Sequence, residues 1–133
     1  MFEKADLIHR YTRADAIRDG VLIDASTTAT EAGIRFPVAL TAAVWARCVA
    51  VPPGVECQDE AGRLWDVLFL LALAIRRSDG GSEVRFGVHV RNDNRDRTPP
   101  LVRLKAVCGP DDDGSPCVTV LLPEEGASCH DAG

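Results

Sequence analysis

The stretches "EVRFGVHVR" (83–91), "LVRLKAVC" (101–108) and "CVTVLLP" (117–123) decide the fold of this chain. In the first, Val84, Phe86 and Val88 alternate with polar residues or glycine, a period of two that is typical of a half-buried strand. The second stretch alternates in the same way, and the third is a short apolar run. The turn-forming residues "GPDDDGSP" (109–116) separate the last two stretches. We therefore predict an antiparallel meander of three strands.

Upstream of the meander, the residues indicate helices. In "YTRADAIRDGVLIDAS" (11–26), Thr12 is a good N-cap and Asp15 stands where it can reach back to the first turn. Gly20 supplies a left-handed stop. We predict a helix that ends there and, at 21–24, a short buried strand or an extended link.

Two segments follow before the meander. Pro37 suits the first turn of a helix, and Leu40, Val44 and Trp45 lie at helical spacing, so a helix is predicted over about 38–50. The stretch "VECQDEAGRLWDV" (55–67) is compatible with a hairpin or with one long helix capped by Asp59. In either case a helix should cover about 66–77, buried because its apolar residues lie nearly all round.

The fold class predicted from these patterns is α+β, with N-terminal helices packed on a C-terminal antiparallel sheet of three to five strands. The segment 21–24, or a hairpin at 55–67, would supply the additional strands. The 133 residues suit one domain, assigned to 1–125, with a flexible C-terminal tail at 126–133. A composition of 46% apolar residues argues against disorder along the whole chain.

The charge is distributed unevenly. The net charge of −5 argues against an affinity of the whole protein for DNA or for an anionic membrane. Residues 81–108, however, hold six basic and three acidic groups, a net +3, whereas residues 109–133 hold six acidic and no basic groups, a net −6. A basic segment followed by an acidic one is therefore the clearest charge pattern in the chain.

Alternation places the basic side chains of the first two strands on one face, with further arginines on the loop between them. Such a face suits phosphates or an acidic protein patch. The alternative is a solvated face that discourages edge pairing. No aromatic residue is interleaved with these arginines, so base stacking is poorly supported. The candidate partner-binding residues are Arg85, His89, Arg91, Arg95, Arg97, Arg103 and Lys105 in the basic segment, and Asp111, Asp112 and Asp113 in the acidic turn.

No catalytic or metal motif emerges from the sequence. The three histidines stand in no nucleophile or metal-ligand pattern, and "DDDG" (111–114) lacks the spacing of a calcium loop. Cys108 and Cys117 flank the acidic turn and could face each other across it. A chance pair of reduced thiols is favoured over a zinc site shared with Cys129 and His130. We therefore predict no catalytic residue, no metal and no cofactor.

The cysteines and the apolar runs also bear on the compartment. The chain has five cysteines, an odd number, and "MFEKADLIHR" (1–10) lacks the apolar core of a signal peptide. The longest apolar run, at 67–75, is nine residues long, whereas a membrane span needs about 20. The cytoplasm, with reduced thiols, is the predicted location.

Four stretches together resemble a family of small uncharacterised bacterial proteins. They are "YTRADAIRDGVLIDAS" (11–26), "AGIRFPVALTAAVWARCV" (32–49), "DEAGRLWDVLFLLALAIRR" (59–77) and "LKAVCGPDDDGSPCVTVLLPEE" (104–125). The resemblance spans most of residues 7–125. The family is a domain of unknown function, so it implies no catalytic residues. It does imply a genetic context of plasmids, phages and integrated islands.

Small proteins from that context often inhibit host defences, including CRISPR effectors and restriction enzymes. The resemblance thus implies a non-enzymatic interaction protein of a mobile genetic element. Its partner would be a host nucleic-acid defence complex, which it would inhibit, as anti-CRISPR or antirestriction proteins do, by binding a protein surface. The alternative is a small nucleic-acid-binding or plasmid-maintenance module that uses the basic strand face. An enzyme acting on a nucleotide or a host protein is a third, weaker interpretation.

Overall fold

The computed structural model describes residues 12–95 and 97–125. The helices are α1 (Arg13–Arg18), α2 (Ser26–Glu31), α3 (Ala42–Val44), which continues as a π-helical turn (Trp45–Val49), and α4 (Glu60–Arg77). The strands are β1 (Leu22–Asp24), β2 (Val38–Thr41), β3 (Glu83–His89), β4 (Leu101–Pro110) and β5 (Pro116–Leu121). The predicted tail at 126–133, with Cys129 and His130, and the segment "MFEKADLIHR" (1–10) lie outside the described residues. None of the helices within the described ranges is long and apolar enough to cross a membrane.

The five strands form one sheet in the order β1-β2-β5-β4-β3. The meander β3-β4-β5 is antiparallel throughout, as the alternation predicts. The α+β class is confirmed, but a purely antiparallel sheet is wrong, because β2 and β5 pair in parallel, with Leu40 opposite Val120. A parallel pair needs a long crossover connection, and the chain between β2 and β5 supplies one that contains α4.

The helices are also not strictly N-terminal, because α4 follows β1 and β2. The helix predicted over 38–50 begins instead as strand β2. Leu40 fits both patterns: it lies two residues from the buried Val38, the period of a strand, and four residues from the buried Val44, the spacing of a helix. Pairing with β1 on one side and β5 on the other decides between the two. The helix starts only at α3, where the Thr41 hydroxyl accepts a hydrogen bond from the Val44 amide at 3.2 Å.

The helix cap, the glycine stop and the following strand of the N-terminal corner form as predicted, but the strand is half-buried to exposed and not buried. The Thr12 hydroxyl accepts from the Asp15 amide at 3.0 Å, and the Thr12 amide donates to the Asp15 carboxylate at 3.2 Å. This reciprocal pair satisfies two amides that α1 itself cannot bond. Gly20 follows with φ of +82°, the left-handed conformation that ends the helix. The segment 21–24 then enters the sheet as β1.

Helix α4 resolves the ambiguity at 55–67 in favour of one long helix. It begins after Asp59, whose carboxylate accepts from the Gly62 amide at 2.6 Å. One side of α4, including Leu68 and Leu71, packs on the sheet and is fully buried. The helix is not buried all round as predicted, because Trp65 and Phe69 remain 39% and 44% exposed. Helices α2, α4 and the π-helical turn thus cover one face of the sheet, and its opposite face is called here the outer face.

Candidate partner-binding surface

The register of β3 and β4 determines which predicted site residues share the outer face. Arg85 lies opposite Lys105, Gly87 opposite Arg103, and His89 opposite Leu101. The residues between them, such as Phe86 and Leu104, point into the core instead. Of the predicted residues, the outer face thus brings together Arg85, His89, Arg103 and Lys105.

Arg85 and Arg103 are the two exposed cations of this face. The Arg85 side chain is 67% exposed, and its guanidinium pairs with the Glu83 carboxylate at 3.1 Å. Arg103 is exposed and has no hydrogen bond or ion pair with any residue that the structure describes. Across from Arg103, Gly87 leaves room for the Leu101 side chain, since a Cβ at Gly87 would lie 2.9 Å from a Leu101 methyl carbon. Leu101, itself 48% exposed, adds an apolar centre beside the two cations.

Lys105 differs from the expectation in its exposure. Only 9% of its surface is accessible, so its aliphatic stem is buried and it contributes little surface to a partner. Its ammonium has no hydrogen bond or ion pair within the described part of the chain. Lys105 nevertheless stands directly opposite Arg85, and like charges at opposed positions of a sheet destabilise the pair. A bound anion would relieve this repulsion.

His89 is held in one tautomer by the loop that follows it. Its Nδ1 lies 2.8 Å from the carbonyl oxygen of Pro99. Because a carbonyl oxygen can only accept, Nδ1 carries the hydrogen, and in the neutral ring Nε2 is left as an acceptor. The exposed His89 ring therefore offers a partner one hydrogen-bond acceptor.

The loop arginines are largely used within the loop. The Arg91 guanidinium donates to the backbone carbonyls of Arg95 and, at 2.7 Å, of Arg97. Arg97 pairs with the Asp93 carboxylate at 3.0 Å. The backbone hydrogen bond from Arg95 and the bond from Arg97 hold the pKa of Asp93 below its ordinary value. Arg91 and Arg97 therefore shape the loop, and only the Arg95 side chain is without a partner among the described residues.

A residue that the sequence analysis did not single out, Arg63, anchors this loop to the helices. Only 6% exposed, it donates through Nε to the Cys48 carbonyl at 3.0 Å and through Nη2 to the Asn92 side-chain oxygen at 2.7 Å. A weaker contact of 3.5 Å reaches the Arg91 carbonyl. Burial lowers the pKa of the guanidinium. The available signal was its position: Arg63 lies four residues before the buried Val67, on the apolar side of α4.

The acidic turn has a structural role at its central residue. The Asp112 carboxylate accepts from the backbone amides of Arg13 at 2.8 Å and Ala14 at 3.1 Å. It thereby caps the first turn of α1 from a distant part of the sequence. In return the Arg13 guanidinium donates to the Thr119 hydroxyl at 2.6 Å and to the Val118 carbonyl at 2.8 Å. These four bonds dock α1 onto the turn and β5.

The other two acidic residues stabilise the turn itself. The Asp111 carboxylate accepts from the Asp112 amide at 2.7 Å, and the Asp113 carboxylate from the Ser115 amide at 3.0 Å. The bond from Ser115 holds the pKa of Asp113 below its ordinary value. The three acids thus serve the turn and α1, and their carboxylates are partly committed before any partner arrives.

The cysteines do not form the arrangement considered from the sequence. Cys108 lies opposite Val118, and Cys117 lies opposite Gly109, so the two side chains point to opposite faces of the sheet. They therefore cannot face each other, because neighbouring register positions alternate in direction. The four cysteines in the described ranges, Cys48, Cys57, Cys108 and Cys117, are unpaired thiols. Within 12–95 and 97–125 there is no group of histidine, cysteine or acidic side chains able to hold a metal ion.

An apolar cavity of about 330 Å³ lies on the helix side of the sheet, near the end of α4. Its lining includes Phe36, Ile75, Val84, Cys108 and Val118, with the two glycines after α4 at its mouth. No charged side chain from residues 12–95 or 97–125 lines it. The cavity could therefore accommodate an apolar group, but its described lining has no charged side chain that could recognise or activate a substrate.

A family model matches residues 1–126, and its description is a family of unknown function, DUF6573. No curated protein matches the chain. No solved structure matches it either.

Proposed function

We propose that this chain, which belongs to the DUF6573 family, is a non-enzymatic interaction protein whose outer face binds a negatively charged patch on another protein. The observation that carries the proposal is the cation group of Arg85, Arg103 and Lys105, which one neighbouring carboxylate, that of Glu83, only partly neutralises. Opposed cations weaken the sheet unless something compensates them, and an anionic partner would do so.

The composition of this surface favours a protein partner. Leu101 lies next to Arg103 on the same face and is 48% exposed, so the face combines apolar contact area with charge. Apolar contact with flanking arginines is typical of protein interfaces. Complementary charge would mainly provide specificity and a fast association rate.

The partner class that we propose is a host nucleic-acid defence complex in the bacterial cytoplasm. The chain would be carried by a mobile genetic element and would inhibit that complex, as anti-CRISPR or antirestriction proteins do. The support is the genetic context that the family resemblance implies, which is an argument by association. The outer face would bind by its charge and would catalyse no reaction. Such binding fits an inhibitor that occupies a site on the defence complex where another molecule would otherwise bind.

A direct nucleic-acid binder is the second candidate, because arginines on one face also suit phosphates. The outer-face residues from β3 and β4 include no phenylalanine, tyrosine or tryptophan on which a base could stack. Backbone contacts alone would give binding that falls steeply with salt and ignores sequence.

Affinity capture from nuclease-treated bacterial lysate, followed by mass spectrometry, tests the proposal. The double variant Arg85→Glu with Arg103→Glu should lose the partner that the unaltered chain retains. The matched control is Arg35→Glu with Arg76→Glu, which changes the charge equally at two exposed arginines elsewhere. The control should retain the partner. Equal capture by both variants would refute the outer face as the binding surface, and retention of nucleic acid alone, in untreated lysate, would favour the second candidate.

A further inference from the structure

Strand β3 has one edge whose backbone groups are directed away from β4. The Cys108 amide donates to the Ser82 carbonyl at 2.7 Å, and the Val90 amide donates to the Pro100 carbonyl at 3.0 Å. In an antiparallel pair, alternate residues bond the neighbouring strand, so the even-numbered residues of β3 bond β4. The odd-numbered residues direct both their amides and their carbonyls outward: Glu83, Arg85, Gly87 and His89.

Within the described ranges, no strand pairs with this edge. Exposed edges are usually protected by charged side chains, by proline, by a bulge or by a very short strand. Of these, β3 has two charged side chains, Glu83 and Arg85, and they pair with each other. β3 has seven residues, contains no proline, and pairs with β4 in unbroken register from Glu83 to His89. It therefore has the features of a strand that can accept another one.

A groove of about 510 Å³ runs between this edge and α4. Its lining is mixed, and the apolar part consists of Leu70, Leu73 and Ala74 from the helix with Val84 and Phe86 from the strand. Trp65 and Phe69, whose ring centroids are 6.1 Å apart, continue the apolar stripe of α4 at four-residue spacing from Leu73. The charged rim consists of Arg77 on the helix and Arg85 with Glu83 on the strand.

We propose that the outer edge of β3 accepts an extended segment of the partner protein as a sixth strand, in which apolar and acidic side chains alternate. The proposal rests on the proposed function, because it describes how the same cationic face engages its partner. An added strand directs alternate side chains to opposite faces. One set would enter the apolar groove beside Leu70 and Leu73, and the other would lie beside Arg85 and His89.

Charge favours this occupant over a second copy of the chain. The outward side chains of β3 on the outer face are Glu83, Arg85 and His89, and Glu83 is already paired with Arg85. Self-pairing would add a second Glu83–Arg85 pair, whose charges cancel, and would leave Arg103 and Lys105 uncompensated. An acidic segment would instead place carboxylates against these cations, as opposite-charge pairs across strands require.

The test uses the whole chain, labelled for amide-resolved hydrogen exchange, with two synthetic probes. One is a capped peptide of alternating glutamate and valine, and its matched control is a peptide of alternating lysine and valine. We expect the glutamate peptide to slow exchange at the amides of Arg85, Gly87 and His89 by about tenfold or more, while those of Val84 and Phe86 are slow from the start. The lysine peptide should bind at least about tenfold more weakly.

Two variants separate the contribution of charge from that of the strand edge. Arg85→Glu should reverse the preference toward the lysine peptide, because the backbone edge remains and only the neighbouring charge changes. Arg95→Glu, the same change on the nearby loop, should leave the preference as it is. A reversal in both variants, or in neither, would contradict the assigned position of the acidic side chains.

Four outcomes would overturn the inference, each in a distinct way. Binding without slower exchange at the odd-numbered amides would mean that the face alone engages the peptide, which leaves the proposed function standing. Binding of neither peptide would remove the strand site. Slow exchange in the unbound monomer would mean that this chain covers its own edge. Slow exchange that grows with protein concentration, with a dimer seen by light scattering, would mean that a second copy does. Failure of the proposed function itself is read separately, from the capture experiment with Arg85→Glu and Arg103→Glu.

Discussion

Replacing Arg63 by methionine should destabilise the fold through the backbone and amide acceptors that it leaves behind. Arg63 is buried and carries the bonds that join α4 to the end of the π-helical turn, at Cys48, and to the loop after β3, at Asn92. Methionine has a similar length and fills most of the volume, so the change removes the donors with little loss of packing.

The expected loss is about 2–4 kcal/mol of unfolding free energy, because two short hydrogen bonds from a charged donor disappear and their acceptors are left unsatisfied. The 3.5 Å contact to the Arg91 carbonyl is too long to add much. The unfolding free energy of Arg63→Lys should lie between that of the parent chain and that of Arg63→Met. A single ammonium cannot bond at the same time both acceptors that the guanidinium bonds.

Urea unfolding followed by tryptophan fluorescence measures the effect, because Trp45 and Trp65 lie on the elements that Arg63 joins. The control is Arg77→Met on the same helix, where the exposed side chain should change stability by less than about 0.5 kcal/mol. Amide exchange near Asn92 should become faster in Arg63→Met, since the loop loses its anchor.

A loss below about 0.5 kcal/mol for Arg63→Met would refute the stabilising role of Arg63. It would show that the free energy needed to desolvate the buried guanidinium equals the free energy gained from its hydrogen bonds. An equal loss for Arg77→Met would refute it differently, by showing that any change on α4 has the same effect.

Three further predictions concern other parts of the chain. Asp112→Ala should lower the unfolding free energy by about 1–2 kcal/mol, because two backbone amides of α1 lose their acceptor. The control is Asp66→Ala, at an exposed carboxylate, which should have little effect in the same urea titration. At pH 8 a thiol reagent should label the exposed Cys57 and spare Cys48, since burial raises the pKa of Cys48 to about 11. Folding keeps that thiol protonated, so its contribution to stability is complete below pH 9.0, the ordinary pKa of a cysteine, and is lost as the pH rises toward 11. Rapid labelling of Cys48 in the native state would contradict this prediction. Hydrogen bonds, chiefly with Thr12, hold the pKa of Asp15 below its ordinary value of 3.8, so its contribution is present above that pH and is lost as the pH falls. Asp15→Asn should therefore show a shallower loss of stability in acid, and parallel curves for variant and parent would exclude this role.

The parts of the fold that the sequence predicts are those set by local pattern. Alternation in β3 and β4, the short apolar run of β5 and the turn formers between β4 and β5 predict the meander. The cap at Thr12 and the stop at Gly20 predict the first corner. Strand β2 could not be predicted in this way, because Leu40 has strand spacing from Val38 and helical spacing from Val44. A neighbour some eighty residues later in the sequence, β5, decides between them.

The candidate surface, too, has features that local pattern predicts and features that depend on distant parts of the chain. Alternation predicts that Arg85 and Arg103 share a face, and the register agrees. It does not predict that Lys105 is covered or that Asp112 is committed to α1, because both depend on elements far away in the sequence. The open edge of β3 follows only from the strand order, which no local pattern contains.

The position of β5 between β2 and β4 has a consequence for the order of folding. β1 with β2, and β3 with β4, can each pair as a local unit, but among the strands of the described residues only β5 joins the two halves of the sheet. Since β5 comes last in the chain order of strands, the sheet cannot be completed during synthesis until residues 116–121 have left the ribosome. Its parallel contact with β2 closes a long loop, the kind of contact that slows folding. Until that closure, the inner edges of β2 and β4 are open, and this nascent state is where the chain is most exposed to mispairing.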